Sequence, residues 1–378
     1  MSRLQRALAL VILTATGTAP AAALVSPPTL AAAEPTACAA GTNAAQLNAR
    51  FESDIGPVIG ADYQRAFPLP DGRQLWVFQD ALIRTPSGAT RLVHNIGLVQ
   101  SGRCFTLLRS GTAEDPEPWI GAADTSPLQH WFWPLGGTVA ADGTFRLFAA
   151  EIVELGPRYL SKTEPVATWV ARIELPALRV TGLRPAPDSG AQLYGWSVVD
   201  HGRFTYLFGH CYRQFGWGFL GHDPCAAEVT VARVPRGRLN REPTYWDGTK
   251  WSSHPRRAVD VAPTRGPTGE PRAVNPTQFA HVHGCWIAVT KVGDWWGDSI
   301  HLDWARTPHG PWRTATVIPA TTLGPSSTYN TYFASFVGRT REAQLIGLSN
   351  NRWDGAQSSA YRPTFREVPL AAWGPCGL

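Results

Sequence analysis

Charge, lysine and methionine are scarce in this chain of 378 residues. Charged residues make up 17% of it, three Lys stand against 31 Arg, and the one Met is the first residue. The formal net charge of +5 is scattered along the sequence, whereas nucleic-acid-binding proteins usually show clustered basic residues. Gly and Pro together reach about 18%, below the level typical of low-complexity, disordered chains. The composition therefore predicts a packed globular protein with no nucleic-acid partner.

Several common catalytic and metal-binding signatures are also missing. The sequence contains no GxSxG elbow, Walker loop or HExxH helix, and no GxGxxG signature of the dinucleotide-binding fold, because the GWGFLG spacing at residues 216–221 lies in a Gly- and aromatic-rich loop. These absences exclude the common serine hydrolases, NTPases, zincins and dinucleotide-binding proteins. It has no CxxC pair for a zinc ribbon. His281, His283 and Cys285 alternate like metal ligands on a strand, but Gly284 among them is interpreted as a hairpin turn. We therefore expect neither a metal site nor a cofactor.

Long apolar runs are absent as well, so no transmembrane helix is predicted. At the N-terminus, Arg3 and Arg6 precede a short apolar run over residues 7–15, and small residues follow. This order is typical of a secretory signal peptide. The sequence therefore predicts a secreted or cell-wall-associated protein.

The signal segment sets the domain boundary. Cleavage after Ala23 and cleavage after Ala33 fit the pattern equally well, and we assign residues 1–33 to the signal peptide and processing region. The remaining residues, 34–378, are long enough for two domains, but the repeat described below favours a single catalytic domain. The oligomeric state is left open.

Six cysteines follow the signal segment: Cys38, Cys104, Cys211, Cys225, Cys285 and Cys376. An even number in an exported chain predicts three disulfides, with 15 possible pairings. Cys211–Cys225 is the favoured pair because the loop between these two residues is short and rich in glycine. Free thiols in the core are the alternative.

A hairpin-like unit recurs five times along the chain. Each unit has alternating or aromatic runs around a turn glycine, and helical character is confined to residues 44–51. The turn glycines are Gly72, Gly143, Gly202, Gly284 and Gly338. Their spacing leaves room for four strands in each unit. We therefore predict an all-β protein, a five-bladed β-propeller with four-stranded antiparallel blades, with a flat β-sandwich as the alternative.

The register of the first hairpin brings two aspartates together. The PDG turn favours a three-residue loop in which Leu69 pairs with Arg73. The same register places Asp62 opposite Asp80, with both side chains on one face of the sheet. A two-residue turn would instead direct these side chains to opposite faces. The corresponding registers pair Trp133 with Glu151 in blade two and Gln192 with His210 in blade three.

Two facing carboxylates have a recognisable chemistry. Because like charges so close together disfavour each other's ionisation, one group should be protonated and the other ionised. Glycoside hydrolysis needs such a pair: one carboxyl protonates the leaving oxygen, and the other activates water or attacks the sugar. We therefore predict Asp62 and Asp80 as the catalytic residues, without assigning which is the acid. The structural alternative is that Asp80 caps a strand end and Asp62 bonds a local turn.

Polar residues also end the second strand of each unit. In a propeller these ends gather around one mouth of the central channel, where they form a concave site. Together with two aromatic residues suited to stacking on a sugar ring, the predicted substrate-binding residues are Asn95, Trp133, Glu151, His210, Lys291, Tyr332 and Asn350. His94 next to Asn95 lies near the same mouth or forms a hydrogen-bonding pair with it in a loop. The loop over residues 210–225 is either a substrate rim or a stiff packed loop.

Blade one also resembles a known family in its motifs, namely GAD at residues 60–62, PLPDGRQLWVFQD at 68–80 and HNIGLVQSGRCFTLLRSG at 94–111. Further matches are YGWSVVDHGRFTYLFGHCYRQFGW at 194–217 and TYWDG at 244–248. These segments are similar to an actinobacterial exported family, domain-of-unknown-function family 4185, now glycoside hydrolase family 183 of endo-D-arabinanases. ARTPHGPW at residues 305–312 resembles a segment of several five-bladed glycosidase families and bears on the fold alone.

The resemblance implies a function. It implies a five-bladed propeller that cuts, with inversion, within the D-arabinan of mycobacterial-type arabinogalactan and lipoarabinomannan. The family's two catalytic aspartates match Asp62 and Asp80. The chain departs from the family at Gln79, where a glycine is usual, which bears on the shape of the mouth. The alternatives are a non-catalytic propeller that binds glycan or protein, and a five-bladed glycosidase for another pentose polymer.

Overall fold

The computed structural model describes most of the chain beyond the predicted signal segment. The described residues are 36–38, 41–121, 130–154, 163–187, 192–211, 229–261, 277–292, 297–320, 329–352 and 361–377. Their strands form five antiparallel sheets and one small hairpin. The predicted all-β, five-bladed propeller is confirmed, and the β-sandwich alternative is excluded.

A short helix precedes blade one. Helix α1 (Ala44–Phe51) begins after Asn43, whose side chain accepts a hydrogen bond from Gln46 N, and it confirms the helical segment predicted there. The strands of blade one are β1 (Val58–Ala61), β2 (Arg65–Pro68), β3 (Gln74–Arg84), β4 (Thr90–Ser101) and β5 (Cys104–Leu108). Because β1 and β2 both pair with β3, they act together as one interrupted inner strand. A small hairpin of β6 (Ser110–Gly111) and β7 (Pro116–Glu117) follows.

Blades two and three continue outward from an inner strand in the same way. Blade two contains β8 (His130–Val139), β9 (Phe145–Glu154), β10 (Thr163–Glu174) and β11 (Arg179–Pro185). Blade three contains β12 (Gln192–His201), β13 (Phe204–Cys211), β14 (Val229–Pro235), β15 (Thr244–Trp246) and β16 (Trp251–Ser252), followed by a 3₁₀ helix at Pro255–Arg257.

Blades four and five complete the ring. Blade four contains β17 (Gln278–Val282), β18 (Cys285–Val292), β19 (Ser299–Ala305) and β20 (Arg313–Pro319). Blade five contains β21 (Tyr329–Arg339), β22 (Ala343–Arg352) and β23 (Thr364–Pro369), and a 3₁₀ segment, Leu370–Gly377, follows it. The prediction of four strands per blade is therefore confirmed for blades two and four. Blades one and three have five described strands each, and blade five has three.

The inner strands contact one another around the ring, in the order β2, β8, β12, β17, β21 and back to β2. The two ends of the chain meet between blades five and one. There the Asn48 side chain of α1 donates to Phe365 O of β23 at 2.9 Å and accepts from Phe365 N at 2.7 Å. Ala61 N also donates to Tyr361 O at 2.8 Å. These contacts close the propeller without a shared strand among the described residues.

Aromatic residues fill the spaces between blades. Among the described residues, eight of the chain's 16 Trp are buried: Trp76, Trp119, Trp131, Trp133, Trp196, Trp286, Trp312 and Trp373. One cluster of buried side chains joins strands of blades two and three and includes Trp131, Trp133 and Trp196. The tryptophan excess therefore serves packing between blades to a large extent.

The register of the first hairpin is as predicted. Leu69 N donates to Arg73 O at 2.8 Å, and Gly72 has a φ of +85°, which a glycine adopts without a Cβ penalty. Farther along the same ladder, Ala61 faces Ala81. The three-residue turn therefore sets the pairing of the inner strand with β3 back to Gly60, where a bulge shifts the register.

The register predicted for blade two is wrong by one residue. Trp133 faces Ala150 in place of Glu151, because a bulge between Pro134 and Gly137 displaces the ladder. The bulge lies where blades two and three approach closely. A Cβ on Gly136 would lie 2.7 Å from Gly195 O of β12.

The register predicted for blade three is also wrong. His210 faces Leu193 in place of Gln192. The hairpin turn has two residues and not three, since His201 pairs with Phe204, and a bulge then displaces the ladder again.

Gly338 is not a turn glycine. It lies within β21 at a bulge, and the hairpin turn of blade five connects Arg339 to Gln344. The other four predicted turn glycines have the positive φ expected of them.

Two disulfides are described. Cys38–Cys104 joins the segment before α1 to β5, and Cys285–Cys376 joins β18 to the C-terminal 3₁₀ segment. The predicted Cys211–Cys225 pair lies outside the described residues. In the part of the chain that the structure describes, no helix has the length and apolar character needed to cross a membrane.

Candidate active site

Asp62 and Asp80 meet where the inner strand of blade one is interrupted. Asp62 N donates to Asp80 O at 3.1 Å, and Gln79 N donates to Asp62 O at 3.1 Å. Asp80 N donates to a side-chain oxygen, Oδ1 of the Asp62 carboxyl, also at 3.1 Å. Tyr63 then turns the chain with a φ of +48° before β2 begins. The local backbone thus places the two aspartates side by side, in the pairing that the turn predicted.

The Asp62 carboxyl is enclosed by protein. Its side chain is buried, and Tyr332 Oη of β21 donates to Asp62 Oδ2 at 2.7 Å. Burial, and next the charge of Asp80, raise the pKa of Asp62 from 3.8 to about 8, against the opposing effect of hydrogen bonds from Tyr332, Tyr361 and the Asp80 amide. Asp62 is therefore protonated at neutral pH.

The Asp80 carboxyl is also buried, and two aromatic side chains contact one of its oxygens. Trp133 Nε1 of β8 donates to Asp80 Oδ1 at 3.1 Å. His94 Nδ1 of β4 lies 2.7 Å from the same oxygen. A donor to a carboxylate oxygen stabilises the ionised form of that carboxyl. The surroundings of the two carboxyls therefore differ.

His94 is a site residue that was left out of the predicted set. It faces Asp80 directly in the ladder between β3 and β4, and its ring stacks on Trp131 with 4.2 Å between centroids and 13° between planes. Counting back from the turn that connects Thr85 to Ala89 would have found this register. The strand continues through His94, so the alternative of a loop pair with Asn95 is wrong.

Tyr332 lies on the opposite side of the pair from Trp133. Its side chain is buried, and burial, followed by the charge of Asp62, raises the pKa of the Tyr332 phenol well above its usual value of 10.0. The phenol therefore remains protonated and acts as a hydrogen-bond donor. Both predicted aromatic residues thus contact the aspartates through their polar atoms.

Two further predicted residues are buried in the second strands of blades three and four. His210 is buried, with its ring centroid 6.2 Å from that of Trp196, and Trp196 in turn lies 6.5 Å from Tyr63. Lys291 is fully buried on β18. A substrate-binding role for these two side chains stays a prediction.

Three other predicted residues make hydrogen bonds within the blades. Asn95 donates to Ile120 O at 3.0 Å and Phe132 O at 2.9 Å, and accepts from Ile120 N at 2.7 Å. Asn350 accepts from Thr331 Oγ1 at 2.7 Å. These contacts give both buried amides partners within the protein, and a role in substrate binding stays a prediction.

Glu151 is the third of these residues and forms a second His–carboxylate pair. Its Oε1 lies 3.1 Å from His130 Nδ1, and its Oε2 accepts from Trp169 Nε1 at 2.7 Å. The side chain is 15% exposed. Both of these partners belong to blade two. A role of Glu151 in substrate binding stays a prediction.

The alternating histidines of blade four lie at a hairpin tip, as expected. His283 and Gly284 form the turn between β17 and β18, with φ values of +48° and +78°. In the described ranges, no group of three or more His, Cys, Asp or Glu side chains is arranged to hold a metal ion.

Solved structures with the same fold are distant in sequence. A presumed hydrolase from Bacteroides ovatus is 15% identical with a TM-score of 0.61, covering 82% of this chain and 85% of that one. The GH43 protein BlXynB of Bacillus licheniformis is 13% identical with a TM-score of 0.50, covering 84% of this chain and 54% of that one. The arabinanase Arb43A of Bacillus subtilis is 11% identical with a TM-score of 0.45, covering 84% and 99%. The chain thus spans about half the length of BlXynB, and at these identities the likeness concerns the fold alone.

A comparison with curated proteins found no match. The family profile that matches covers residues 47–369, most of the propeller. It differs from the endo-D-arabinanase family that the blade-one motifs resemble, so that resemblance stays a prediction. By this match, the chain belongs to the family described as Domain of unknown function (DUF5005).

Proposed function

We propose that the protein is a secreted glycoside hydrolase that cleaves arabinofuranosyl linkages within D-arabinan. Asp62 is the general acid and Asp80 the general base. The observation that carries the proposal is the buried pair itself, in which Asp62 keeps a proton up to about pH 8, while Asp80 accepts a hydrogen bond from Trp133 and lies 2.7 Å from His94 Nδ1.

The two carboxyls have the complementary states that glycoside hydrolysis requires. Protonated Asp62 delivers its proton to the glycosidic oxygen as the bond to the anomeric carbon breaks. Ionised Asp80 removes a proton from water, whose oxygen forms the new bond to that carbon. The products are a shortened chain with a free hydroxyl and a new reducing end of inverted configuration, and the proton taken up by Asp80 restores Asp62 through solvent.

The groups around the two carboxyls maintain the difference between Asp62 and Asp80. Tyr332 and the Asp80 amide hold the Asp62 carboxyl in place, while Trp133 and His94 bind the Asp80 carboxyl. A tyrosine nucleophile, as in sialidases, is disfavoured because burial keeps the Tyr332 phenol protonated. Tyr332 therefore serves as a donor to Asp62.

The choice of D-arabinan rests on the resemblance of the blade-one motifs to endo-D-arabinanases. Two features of the chain support an extracellular glycan as substrate: the signal-like N-terminal segment and the two described disulfides. No cofactor is required for the chemistry, since both proton transfers use side chains of the chain itself.

The test is to incubate the mature protein with purified mycobacterial-type arabinogalactan and with matched xylan, L-arabinan and β-1,3-galactan. We expect new reducing ends from arabinogalactan, released as oligosaccharides of mixed length, with an inverted anomer in the first minutes by NMR. Cleavage of another pentose polymer alone would correct the substrate. Binding of glycan without any new reducing ends would favour the non-catalytic propeller.

A substitution at His94 tests its role as a positioning residue for Asp80. A hydrogen bond to a charged group contributes about 1.5–3 kcal/mol, and about 1.4 kcal/mol corresponds to a tenfold change in rate. We therefore expect His94→Gln to lower kcat roughly 10- to 100-fold with little change in KM. The measurement is steady-state hydrolysis of the substrate identified above.

His130→Gln is the matched control. His130 pairs with Glu151 in blade two, as His94 pairs with Asp80 in blade one, and the two His side chains have similar exposure, 27% and 23%. Its kcat should stay within a few-fold of the wild type. If both variants lose activity equally, loss of packing explains the result and His94 has no special part in the site.

A further inference from the structure

A serine of blade five contacts the residue that directly follows Asp62. Ser349 lies on β22 and is fully buried. Its Oγ accepts a hydrogen bond from Tyr63 N at 2.8 Å. Since Tyr63 lies between β1 and β2, this contact joins blade five to the interruption in the inner strand of blade one. Ser349 therefore acts at the junction where the two ends of the chain meet.

The same hydroxyl also binds the next residue of blade one. Ser349 Oγ donates to Gln64 Oε1 at 2.7 Å. A second fully buried serine, Ser335 of β21, donates to Gln64 O at 2.6 Å. Gly347 of β22 leaves room for the glutamine, because a Cβ there would lie 2.9 Å from Gln64 Nε2. Blade five therefore holds two consecutive residues after Asp62 through serine hydroxyls.

The conformation of Tyr63 depends on such contacts. Its φ of +48° lies in the left-handed region, which residues other than glycine rarely adopt unless the surrounding structure enforces it. The Tyr63 ring packs on two rings of β21, with centroids 4.6 Å from Phe333 and 5.4 Å from Tyr332. Because a backbone N–H in the protein interior needs an acceptor, the hydroxyl of Ser349 stabilises this conformation as well.

The position of the Asp62 side chain follows from the same turn. Its carboxyl accepts hydrogen bonds from Tyr332 Oη of blade five and from Asp80 N of blade one. Blade five thus holds Asp62 at its carboxyl and, through Ser349, at the backbone of the following residue. Exclusion of water from this carboxyl is the largest cause of the raised pKa of Asp62.

We propose that Ser349 is a positioning residue for the general acid: its hydroxyl holds the turn at Tyr63, and the turn keeps the Asp62 carboxyl enclosed against Tyr332. Without this hydroxyl the turn relaxes and water reaches the carboxyl, which stabilises its ionised form. The inference rests on the proposed function, in which Asp62 is the acid.

Removal of the hydroxyl leaves the charges around Asp62 in place. The ionisable groups near its carboxyl belong to blades one and five and are Tyr63, Arg65, Asp80, Tyr332 and Tyr361. Ser349→Ala alters none of these groups and removes no charge. A change in the titration of Asp62 in this variant therefore reports its enclosure.

The test is a ¹³C NMR titration of the mature protein labelled at the aspartate carboxyl carbons, without substrate. In the wild type, the resonance that Asp62→Asn lacks should titrate near pH 8. In Ser349→Ala we expect its midpoint to fall by about one pH unit or more, since burial raises a carboxyl pKa by up to about 3–5 units. On the glycan, kcat should fall about 10- to 100-fold, as for other displaced catalytic groups, and the alkaline limit of kcat/KM should move with the midpoint.

Ser197→Ala is the matched control. Ser197 of β12 is also buried, and its Oγ accepts from Phe279 N of β17 at 3.0 Å, so it makes the same kind of contact between blades three and four. This variant should keep the midpoint of Asp62 and the activity. An unchanged midpoint in Ser349→Ala, or equal shifts in both variants, would overturn the proposal. A shift in Ser349→Ala alone, in a protein that cleaves no glycan, would contradict the proposed function and still support the enclosure of Asp62 by Ser349.

A second measurement uses only the wild type. The amide hydrogen of Tyr63 should exchange with solvent at least about 100-fold more slowly than that of Thr249, after correction for intrinsic rates. Thr249 N also donates to a side-chain oxygen, Asp247 Oδ1 at 3.0 Å, but in an exposed turn. Equal exchange of the two amides would mean that Ser349 does not hold the turn, which contradicts the proposal.

Discussion

Asp62→Asn and Asp80→Asn are each expected to lower kcat on the natural glycan about 10²- to 10⁴-fold, the usual contribution of one general acid or base. Asn resembles the protonated carboxyl in shape, so both variants should fold. Asp71→Asn is the control within the same hairpin, because Asp71 is an exposed turn residue that pairs with Arg73. Its kcat should be unchanged.

Asp62→Asn and Asp80→Asn should differ in the compound that restores their activity. Asp62→Asn lacks the proton donor, so an aryl arabinofuranoside with an acidic phenol, which leaves without protonation, should be hydrolysed at close to the wild-type rate. Asp80→Asn lacks the base, so azide, which attacks without losing a proton, should restore turnover and give the glycosyl azide. The opposite pattern would exchange the two roles. Full activity of both variants on the glycan would exclude the pair from catalysis.

The wild type should lose stability relative to Asp62→Asn as the pH rises from about 4 to about 8. The folded-state pKa of Asp62 is raised from 3.8 to about 8, so in this range the folded protein holds a proton that the unfolded chain has released. Stability then falls with pH, by up to about 1.4 kcal/mol per pH unit for one group. The contribution is fully present below pH 4 and lost above pH 8.

Urea unfolding at half-unit steps from pH 4 to pH 9 measures this effect. The difference in unfolding free energy between wild type and Asp62→Asn should grow by several kcal/mol in favour of the variant, because the amide that replaces the carboxyl does not titrate. Asp71→Asn again serves as control, with a difference that is small at every pH. A constant difference for Asp62→Asn would mean that Asp62 is ionised in the folded protein at neutral pH.

The same titration should limit activity. As Asp62 loses its proton near pH 8, kcat/KM should fall on the alkaline side with an apparent pKa close to that value. The burial that keeps Asp62 protonated for catalysis is also what lowers stability in alkaline solution. The pH dependence of stability and the pH dependence of kcat/KM therefore report the same ionisation of Asp62.

The local sequence was sufficient to predict the fold class and the register of the first hairpin. The PDG turn around Gly72 determines the pairing of Leu69 with Arg73, and every residue back to Asp62 follows from it. The turn is predictable because it depends on a few neighbouring residues and on the φ that glycine permits. In blades two and three the same counting failed, and in blade three one cause is a turn of two residues. A bulge also displaces each ladder; the bulge of blade two lies where one strand passes another, at Gly136 against Gly195, and no local pattern predicts it.

The surroundings of the aspartates come from distant parts of the chain. Tyr332 lies 270 residues from Asp62, and Trp133 lies 53 residues from Asp80. The amide of Asn95 looked suited to a sugar, but in the ring it bonds Ile120 and Phe132. Such roles depend on which backbone groups a neighbouring blade leaves unpaired.

Local residue patterns are sufficient to predict a β-propeller and to place Asp62 and Asp80 on one face of blade one. The difference between the two carboxyls depends on the closed ring, because two like charges in a strand pair can divide a proton either way until one of them is desolvated. Closing the ring buries Asp62 beside Tyr332, and it brings Trp133 Nε1 and His94 Nδ1 to one oxygen of Asp80.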